Sequence, residues 1–342
     1  MKHSFIYKSI SIFLFGFFLT LSIAQAQHIL PLMQKEGVSF RGIATAPDQS
    51  VWVSGSNGTV GRSVDAGASW LWVNPKEYEG FDFRDIQAFS KKEAIILAAG
   101  SPAVILRTTD GGKSWSKVFQ DDRPTIFFDG MDFQGKEGFA VGDPIDGTFQ
   151  LLQSKDRGKT WKDVSNFMFL IADSGEAAFA ASGTSIKYLN NNVWIGTGGT
   201  TANIFKRNEK ALTMDKLVCP MLQGEPSQGI FSIDFWDDKR GIAVGGDYMR
   251  DSTTLRTIML TTDGGQTWNP PFSPPNGFKS AVRYITQNII LTTGTSGTDI
   301  SEDGGLHWRN VSKESFNSIG ITKNKKIIYL VGSGGNIAKV DR

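Results

Sequence analysis

A phrase of the form Ser/Thr-x-Asp-x-Gly-x-Ser/Thr-Trp, with one variant, recurs five times in this chain. The copies are Ser63-Val-Asp65-Ala-Gly67-Ala-Ser69-Trp70, Thr108-Thr-Asp110-Gly-Gly112-Lys-Ser114-Trp115, Ser154-Lys-Asp156-Arg-Gly158-Lys-Thr160-Trp161, Thr261-Thr-Asp263-Gly-Gly265-Gln-Thr267-Trp268 and Ser301-Glu-Asp303-Gly-Gly305-Leu-His307-Trp308. The aspartates stand 45, 46, 107 and 40 residues apart. A repeat at that spacing constrains the fold more than any other feature, because each unit must bury its apolar face against its neighbours. The interval of 107 reads as two units with one box lost. Ile204-Phe-Lys-Arg-Asn-Glu209…Thr213-Met214 aligns with Ile105-Leu-Arg-Thr-Thr-Asp110…Ser114-Trp115, with Glu209 in place of the aspartate and Met214 in place of the tryptophan.

Ahead of each box come three short apolar segments separated by turn residues. In the second unit these are 83–89, 95–99 and 104–108. Short strands at this period predict four-stranded antiparallel blades of a propeller. Units begin near Phe40, Phe83, Phe128, Ala178, Ile230, Ala281 and Phe316, which makes the expected fold all-β with seven blades. The seventh unit stops where its box should start. Ile29-Leu-Pro-Leu-Met33 offers the missing outer strand, and Pro31 is tolerable there because an outer strand has a free edge. Exchange of that strand would close the ring and cover the open edge.

Within the boxes, Asp65, Asp110, Asp156, Asp263 and Asp303 are expected to accept backbone N–H groups of their own turns. Trp70, Trp115, Trp161, Trp268 and Trp308 are expected to fold back onto the blades. The competing reading, calcium at each aspartate, lacks the six or more oxygens that ion wants.

Residues 1–26 read as a secretory signal: Lys2 and Lys8, an apolar run from Ile10 to Ile23, then Ala24-Gln25-Ala26 with cleavage before Gln27. A membrane anchor is the alternative for this segment, although its 14 apolar residues are short for a span. The remainder, 27–342, is expected to be one propeller domain, periplasmic or extracellular and monomeric. Of the 36 basic residues two leave with the signal, so 34 face 34 acidic ones. Such a balance gives no electrostatic basis for binding nucleic acid or an anionic membrane. Cys219 is the sole cysteine, which rules out an internal disulfide.

In a propeller of this order the boxes occupy one face. The loops between second and third strands, and the segments entering the inner strands, occupy the other and surround the mouth of the central channel. Binding groups expected there are Arg41, Arg84, Lys279 and Arg283 together with Asp129, Asp247 and Asp299. Clustered arginines near an apolar wall suit a carboxylate or an acidic loop of a partner. A solvated loop surface with a few ion pairs accounts for the same residue types and competes with this reading.

Most catalytic chemistries lack their parts. Past residue 27 the histidines are His28 and His307, so a Ser-His-Asp or Cys-His mechanism has no base at the mouth. Zinc has no His/Cys cluster, and no phosphate-binding or dinucleotide motif is present. Neither a metal nor a cofactor is expected. The catalytic option left is a carboxylate-based glycosidase acting on a carbohydrate, with Glu176, Asp143 and Tyr248 as its candidates.

The sequence resembles the photosystem II stability/assembly factor-like propellers, and their bacterial exported branch above all. The likeness rests on the Thr-x-Asp-Gly-Gly-x-Ser/Thr-Trp boxes and on Ser39-Phe-Arg41-Gly42, Phe83-Arg84-Asp85-Ile86, Gly142-Asp143-Pro144, Gly175-Glu176 through Thr184, Thr197-Gly-Gly199, Gly229-Ile-Phe-Ser232 and Gly245-Gly-Asp-Tyr248. It spans nearly all of residues 38–341. The boxes alone are shared with sialidases, xyloglucanases and sortilin-type receptors. The resemblance implies a non-catalytic scaffold or assembly factor that binds a protein partner in the cell envelope, with Arg41, Arg84 and Arg283 as contact candidates. Some bacterial relatives carry an oxidoreductase label, but no residue pattern here supports a redox cofactor.

Overall fold

The computed structural model describes residues 28–208 and 213–341. Residues 1–26, expected to be a signal, and Glu209 of the degenerate box lie outside the described residues. Seven antiparallel sheets follow one another along the chain, each built from strands close in sequence except the last and the fifth, which also takes two short strands from the stretch around blade 4. Among the described residues no helix is long and apolar enough to cross a membrane.

Blade 1 consists of strands Phe40–Thr45, Val51–Gly55, Val60–Ser63 and Leu71–Trp72, and blade 2 of Asp82–Ala88, Ala94–Ala99, Ala103–Thr108 and Ser116–Asp121. The second strands Val51–Gly55 and Ala94–Ala99 are buried almost throughout, as expected for strands covered on both faces by neighbouring blades. The core is therefore laminar: apolar side chains of one blade interleave with those of the next. Trp52 of blade 1, for example, packs with Phe83, Ile96 and Leu106 of blade 2.

Blade 7 takes its inner three strands, Ser318–Ile321, Ile328–Val331 and Asn336–Asp341, from the end of the chain and its outer strand, His28–Gln34, from the start. Leu30 stands opposite Lys339 and Met33 opposite Ile337, and the ladder is irregular between Pro31 and Met33. The register slips where proline withholds an N–H, the position a free edge tolerates. Ile29, Leu32 and Met33 pack onto the buried clusters of blades 6, 7 and 1.

The boxes act as turn staples. The Asp110 carboxylate accepts the Thr108 hydroxyl at 2.9 Å, the Ser114 N–H at 3.0 Å and the Ser114 hydroxyl at 2.6 Å. Asp65, Asp156 and Asp263 repeat that pattern, and in Asp303 the His307 ring nitrogen replaces the hydroxyl. These bonds hold the Asp65, Asp110 and Asp263 carboxyls down at about 2. Trp268 and Trp308 are buried and donate to the carbonyls of Gly265 and Gly305, whereas Trp70, Trp115 and Trp161 are half-buried.

A second clasp joins blades near the axis. Asp85, Asp132 and Asp234 each accept a backbone N–H from the inner strand of the following blade, at Met131 (2.7 Å), Tyr188 (2.8 Å) and Tyr284 (2.8 Å).

Blade 4 departs from expectation. Its inner strand is Ile186–Leu189, not a strand opening at Ala178. The preceding residues leave the blade and cross the channel. Glu176–Ala177 pair with Gly198–Gly199, which in turn join the inner edge of blade 5. From there the chain reaches every side of the ring. Ala181 accepts from Arg41 of blade 1, Gly183 bridges Gly130 of blade 3, and Thr184 accepts from Ile233 of blade 5. Ser182 donates to the Ser280 carbonyl of blade 6 at 2.7 Å and accepts from Ser318 of blade 7. The segment Ala178–Ser185 is thus a plug, and its Ala, Ser and Gly side chains are small enough to fill a narrow channel. Gly183 has φ +72°, and a Cβ there would strike the Asp85 carboxyl at 2.3 Å.

In blade 5 the box at Asp263 is intact, but the outer strand shrinks to the single bridge Leu260–Asn269. Pro270, Pro271, Pro274 and Pro275 follow, and they cannot donate to a ladder.

Removing residues 28–34 is expected to uncover the Asn336–Asp341 edge and expose Ile29, Leu32 and Met33 contacts, costing about 3 kcal/mol or more. The urea midpoint of the shortened chain measures this. An unchanged midpoint would show that the ring closes without that strand.

Candidate functional site

Four inner strands begin with a β-bulge. The ladder slips between Phe40 and Gly42, Phe83 and Asp85, Phe128 and Gly130, and Ile230 and Ser232. The residues left unpaired are Arg41, Arg84, Asp129 and Phe231. A bulge re-aims one side chain out of the ladder, and here all four are aimed at the channel mouth opposite the boxes. They line one cavity of about 530 Å³, whose inner end is formed by Ala177–Ala181 of the plug.

Arg84 donates to Asp82 at 2.8 Å and lies over the Phe127 ring. The neighbouring Arg41 donates to the Ala181 carbonyl at 3.2 Å but forms no ion pair among the described residues. Burial, then the adjacent Arg84 charge, lowers the Arg41 guanidinium from its ordinary value. A charge held in that position is poised for an anion.

Next to Arg84 around the rim, blade 3 supplies two carboxyls. Asp129 is fully buried, and neither of its side-chain oxygens has a hydrogen-bond partner. Burial raises it well above the usual carboxylate range, and the adjacent Asp143 adds to the shift while Arg84 opposes it. Asp143 accepts the Ala178 N–H at 2.9 Å and is pushed up to about 6 by burial. An aromatic wall completes the cavity. Phe231 stacks on Phe179 at 3.8 Å between centroids, meets Phe278 edge-on at 4.7 Å, and Tyr248 caps the group while 49% exposed.

The other residues expected at this mouth lie elsewhere. Arg283 lines a second cavity of about 480 Å³ on the box side of the plug, 4.0 Å from Asp234. Its strand, Ala281–Tyr284, has no bulge, so Arg283 stays in the ladder opposite Leu291, further from the mouth. At the mouth, blade 6 contributes Phe278, Ser280 and Thr295 instead. Lys279 and Asp299 are buried against each other at 2.5 Å, and Lys279 also donates to Ser296 and the Gly297 carbonyl. Asp247 is buried and accepts from Gln228, Met249 and Arg250. Glu176 is buried beneath Thr197, Asn203 and Lys216, holding the start of the plug. Of the three catalytic candidates the structure therefore brings Asp143 and Tyr248 together and leaves Glu176 outside. Sequence reasoning passed over Phe127, Phe179, Phe231 and Phe278. The signal for Phe231 was present, because it stands one residue into the apolar run that opens the inner strand, as Arg41 follows Phe40 and Arg84 follows Phe83. Cys219 is buried and its thiol is raised, which leaves it unreactive.

Comparison with known proteins fits this architecture. The family model described as photosynthesis system II assembly factor YCF48 matches residues 43–124 and 82–169. The structure is similar to that of YCF48 bound to D1 peptide, with a TM-score of 0.67 and 16% identity over 93% of this chain and 95% of that one. It is similar to YCF48 from Cyanidioschyzon merolae at the same TM-score of 0.67, with 18% identity over 92% of this chain and 98% of that one. The GH74 xyloglucanase from Xanthomonas campestris matches with a TM-score of 0.62 and 12% identity, over 91% of this chain and 53% of that one. No curated protein sequence matches the chain. The resemblance to photosystem II assembly factor-like seven-bladed propellers is borne out.

The Asp143 carboxyl, raised to about 6, fixes a sign for stability against pH. Its folded value exceeds its ordinary 3.8, so its neutral form is favoured by folding. That contribution is complete below pH 3.8 and is lost as pH rises through about 6. Asp143→Asn is expected to flatten that part of the profile and to stabilise the protein at pH 7 by up to about 2–3 kcal/mol. Melting temperatures from pH 4 to 8 measure it, and a profile identical to wild type would contradict the assignment.

Proposed function

We propose that this protein is an exported, non-catalytic propeller that captures a protein partner of the cell envelope at the arginine- and aromatic-lined mouth, as an assembly factor does. One observation carries the reading: Arg41 is half-buried with no ion pair among the described residues, in the same cavity as an aromatic wall that ends in the exposed Tyr248. Interfaces concentrate their binding energy in arginines and aromatics placed in this way. The YCF48 match supports it, since that protein has been captured with a D1 peptide. Export rests on the residue pattern of positions 1–26.

Replacing Arg41 and Arg84 together with alanine is expected to weaken capture of envelope partners by about tenfold or more while leaving the melting temperature within a few degrees. Arg283→Ala, at the other end of the channel, serves as the control and should capture as wild type does. Crosslinking in the native envelope with mass spectrometry reads the outcome. Undiminished capture by the double variant would refute the site.

A second reading, a carboxylate-based glycosidase, is favoured by the Asp129–Asp143 pair, because a glycosidase needs two carboxyls in different protonation states. Against it, the Asp129 oxygens are closed off from solvent. Turnover of a fluorogenic glycoside that disappears in Asp143→Asn would establish it, and no turnover across a panel would end it.

A further inference from the structure

The mouth cavity holds two unanswered polar demands, not one. On the blade 1 side the Arg41 guanidinium donates to one backbone carbonyl and has no carboxylate. On the blade 3 side the Asp129 oxygens accept nothing, and Asp143 accepts a single backbone N–H. A fully buried carboxyl in the state of Asp129 is costly and rare. Arg84 stands between the two, near enough to act on both Arg41 and Asp129, and is itself neutralised by Asp82. The cavity thus runs from the Arg41 guanidinium to the Asp143 carboxyl around its rim, and the aromatic group built on Phe231 forms a third side.

Nothing in the fold requires this polarity. The bulge positions that supply Arg41, Arg84, Asp129 and Phe231 are equivalent in the ring, yet they carry a charge of one sign, the same sign, the opposite sign and an aromatic ring. Arg41 and Asp143 are half-buried, and both face a cavity closed behind by the plug.

We propose that this cavity binds a dipolar ligand, an apolar side chain flanked by an ammonium and a carboxylate, with the carboxylate at Arg41, the ammonium at Asp143 and the apolar group against Phe231 and Tyr248. Asp129 does not touch the ligand, because its oxygens are closed off from solvent. The inference rests on the reading of this mouth as the binding site. Two sources supply the same chemistry: a free amino acid or short peptide, and an exposed partner segment with a basic and an acidic side chain around an aromatic one.

The test uses calorimetry on the full exported chain with five probes. L-Phenylalanine presents both charges, N-acetylphenylalanine the carboxylate alone, and phenylalanine amide the ammonium alone. The capped peptides acetyl-Lys-Phe-Glu-amide and acetyl-Gln-Phe-Gln-amide present the segment with and without its charges. Within the amino-acid set or the peptide set, the dipolar probe is expected to bind at least about tenfold more tightly than its singly charged or uncharged analogues. Which set shows the effect identifies the source. In Arg41→Gln the advantage of the carboxylate should vanish while that of the ammonium persists, and in Asp143→Asn the reverse should hold. The probe series on the wild-type protein stands even where a variant fails to fold. Equal binding within both sets, or no binding by any probe, overturns the proposal. In that case, partner capture that still depends on Arg41 and Arg84 would show that the mouth binds a partner by other chemistry, whereas its loss would sink the reading of the mouth itself.

Discussion

A ring of seven blades leaves a hole along its axis, and that hole must be hydrated or filled. Here the chain fills it with its own residues. Ala178–Ser185 crosses the channel and bonds to inner strands on opposite sides, through Arg41, Gly130, Ile233, Ser280 and Ser318. Everything functional follows from that filling. A through-channel would carry water past Arg41 and Asp143 and screen them. The plug turns one passage into two blind cavities, one lined by Arg41, Arg84, Asp129 and Asp143 and the other by Lys187, Asp234 and Arg283. Low local dielectric behind each cavity strengthens whatever charge pairing occurs there.

The ring that holds the plug is closed by strand exchange rather than by side chains alone. His28–Gln34 completes the last sheet, so the first and last parts of the described chain share one ladder. The turns are held separately, by box aspartates whose oxygens are committed to their own backbone and hydroxyl groups. The two devices are independent. Boxes fix the periphery of single blades, while the aspartate clasps at Asp85, Asp132 and Asp234 tie neighbouring blades together near the axis. The candidate site occupies positions that neither device needs, the bulged residues of the inner strands.

Most of the architecture was legible in the residue order because it repeats. The boxes gave the period, and the terminal segment Ile29–Met33 matched a missing outer strand. The plug was not read, although its trace was present: 107 residues between Asp156 and Asp263 exceed two periods of 40 to 46 by at least fifteen. The channel-crossing segment is part of that surplus, and its Ala-Phe-Ala-Ala-Ser-Gly-Thr composition suits a narrow space better than a blade. Site residues were harder. Residue type and approximate position put Arg283 beside Arg41 and Arg84, but a one-residue bulge decides which side chain leaves the ladder, and blade 6 has none. Lys279 and Asp299 looked like surface charges and are buried on each other, because ion pairing across a loop leaves no periodic pattern to read.

The account turns on the plug being a fixed part of the native ring. Hydrogen–deuterium exchange followed by mass spectrometry tests this directly. Peptides covering 178–185 should exchange as slowly as the inner strands Asp82–Ala88 and Gln228–Phe235. Exchange at the rate of exposed loops such as 248–256 would mean that the channel is open and that neither cavity has the closed end described for it.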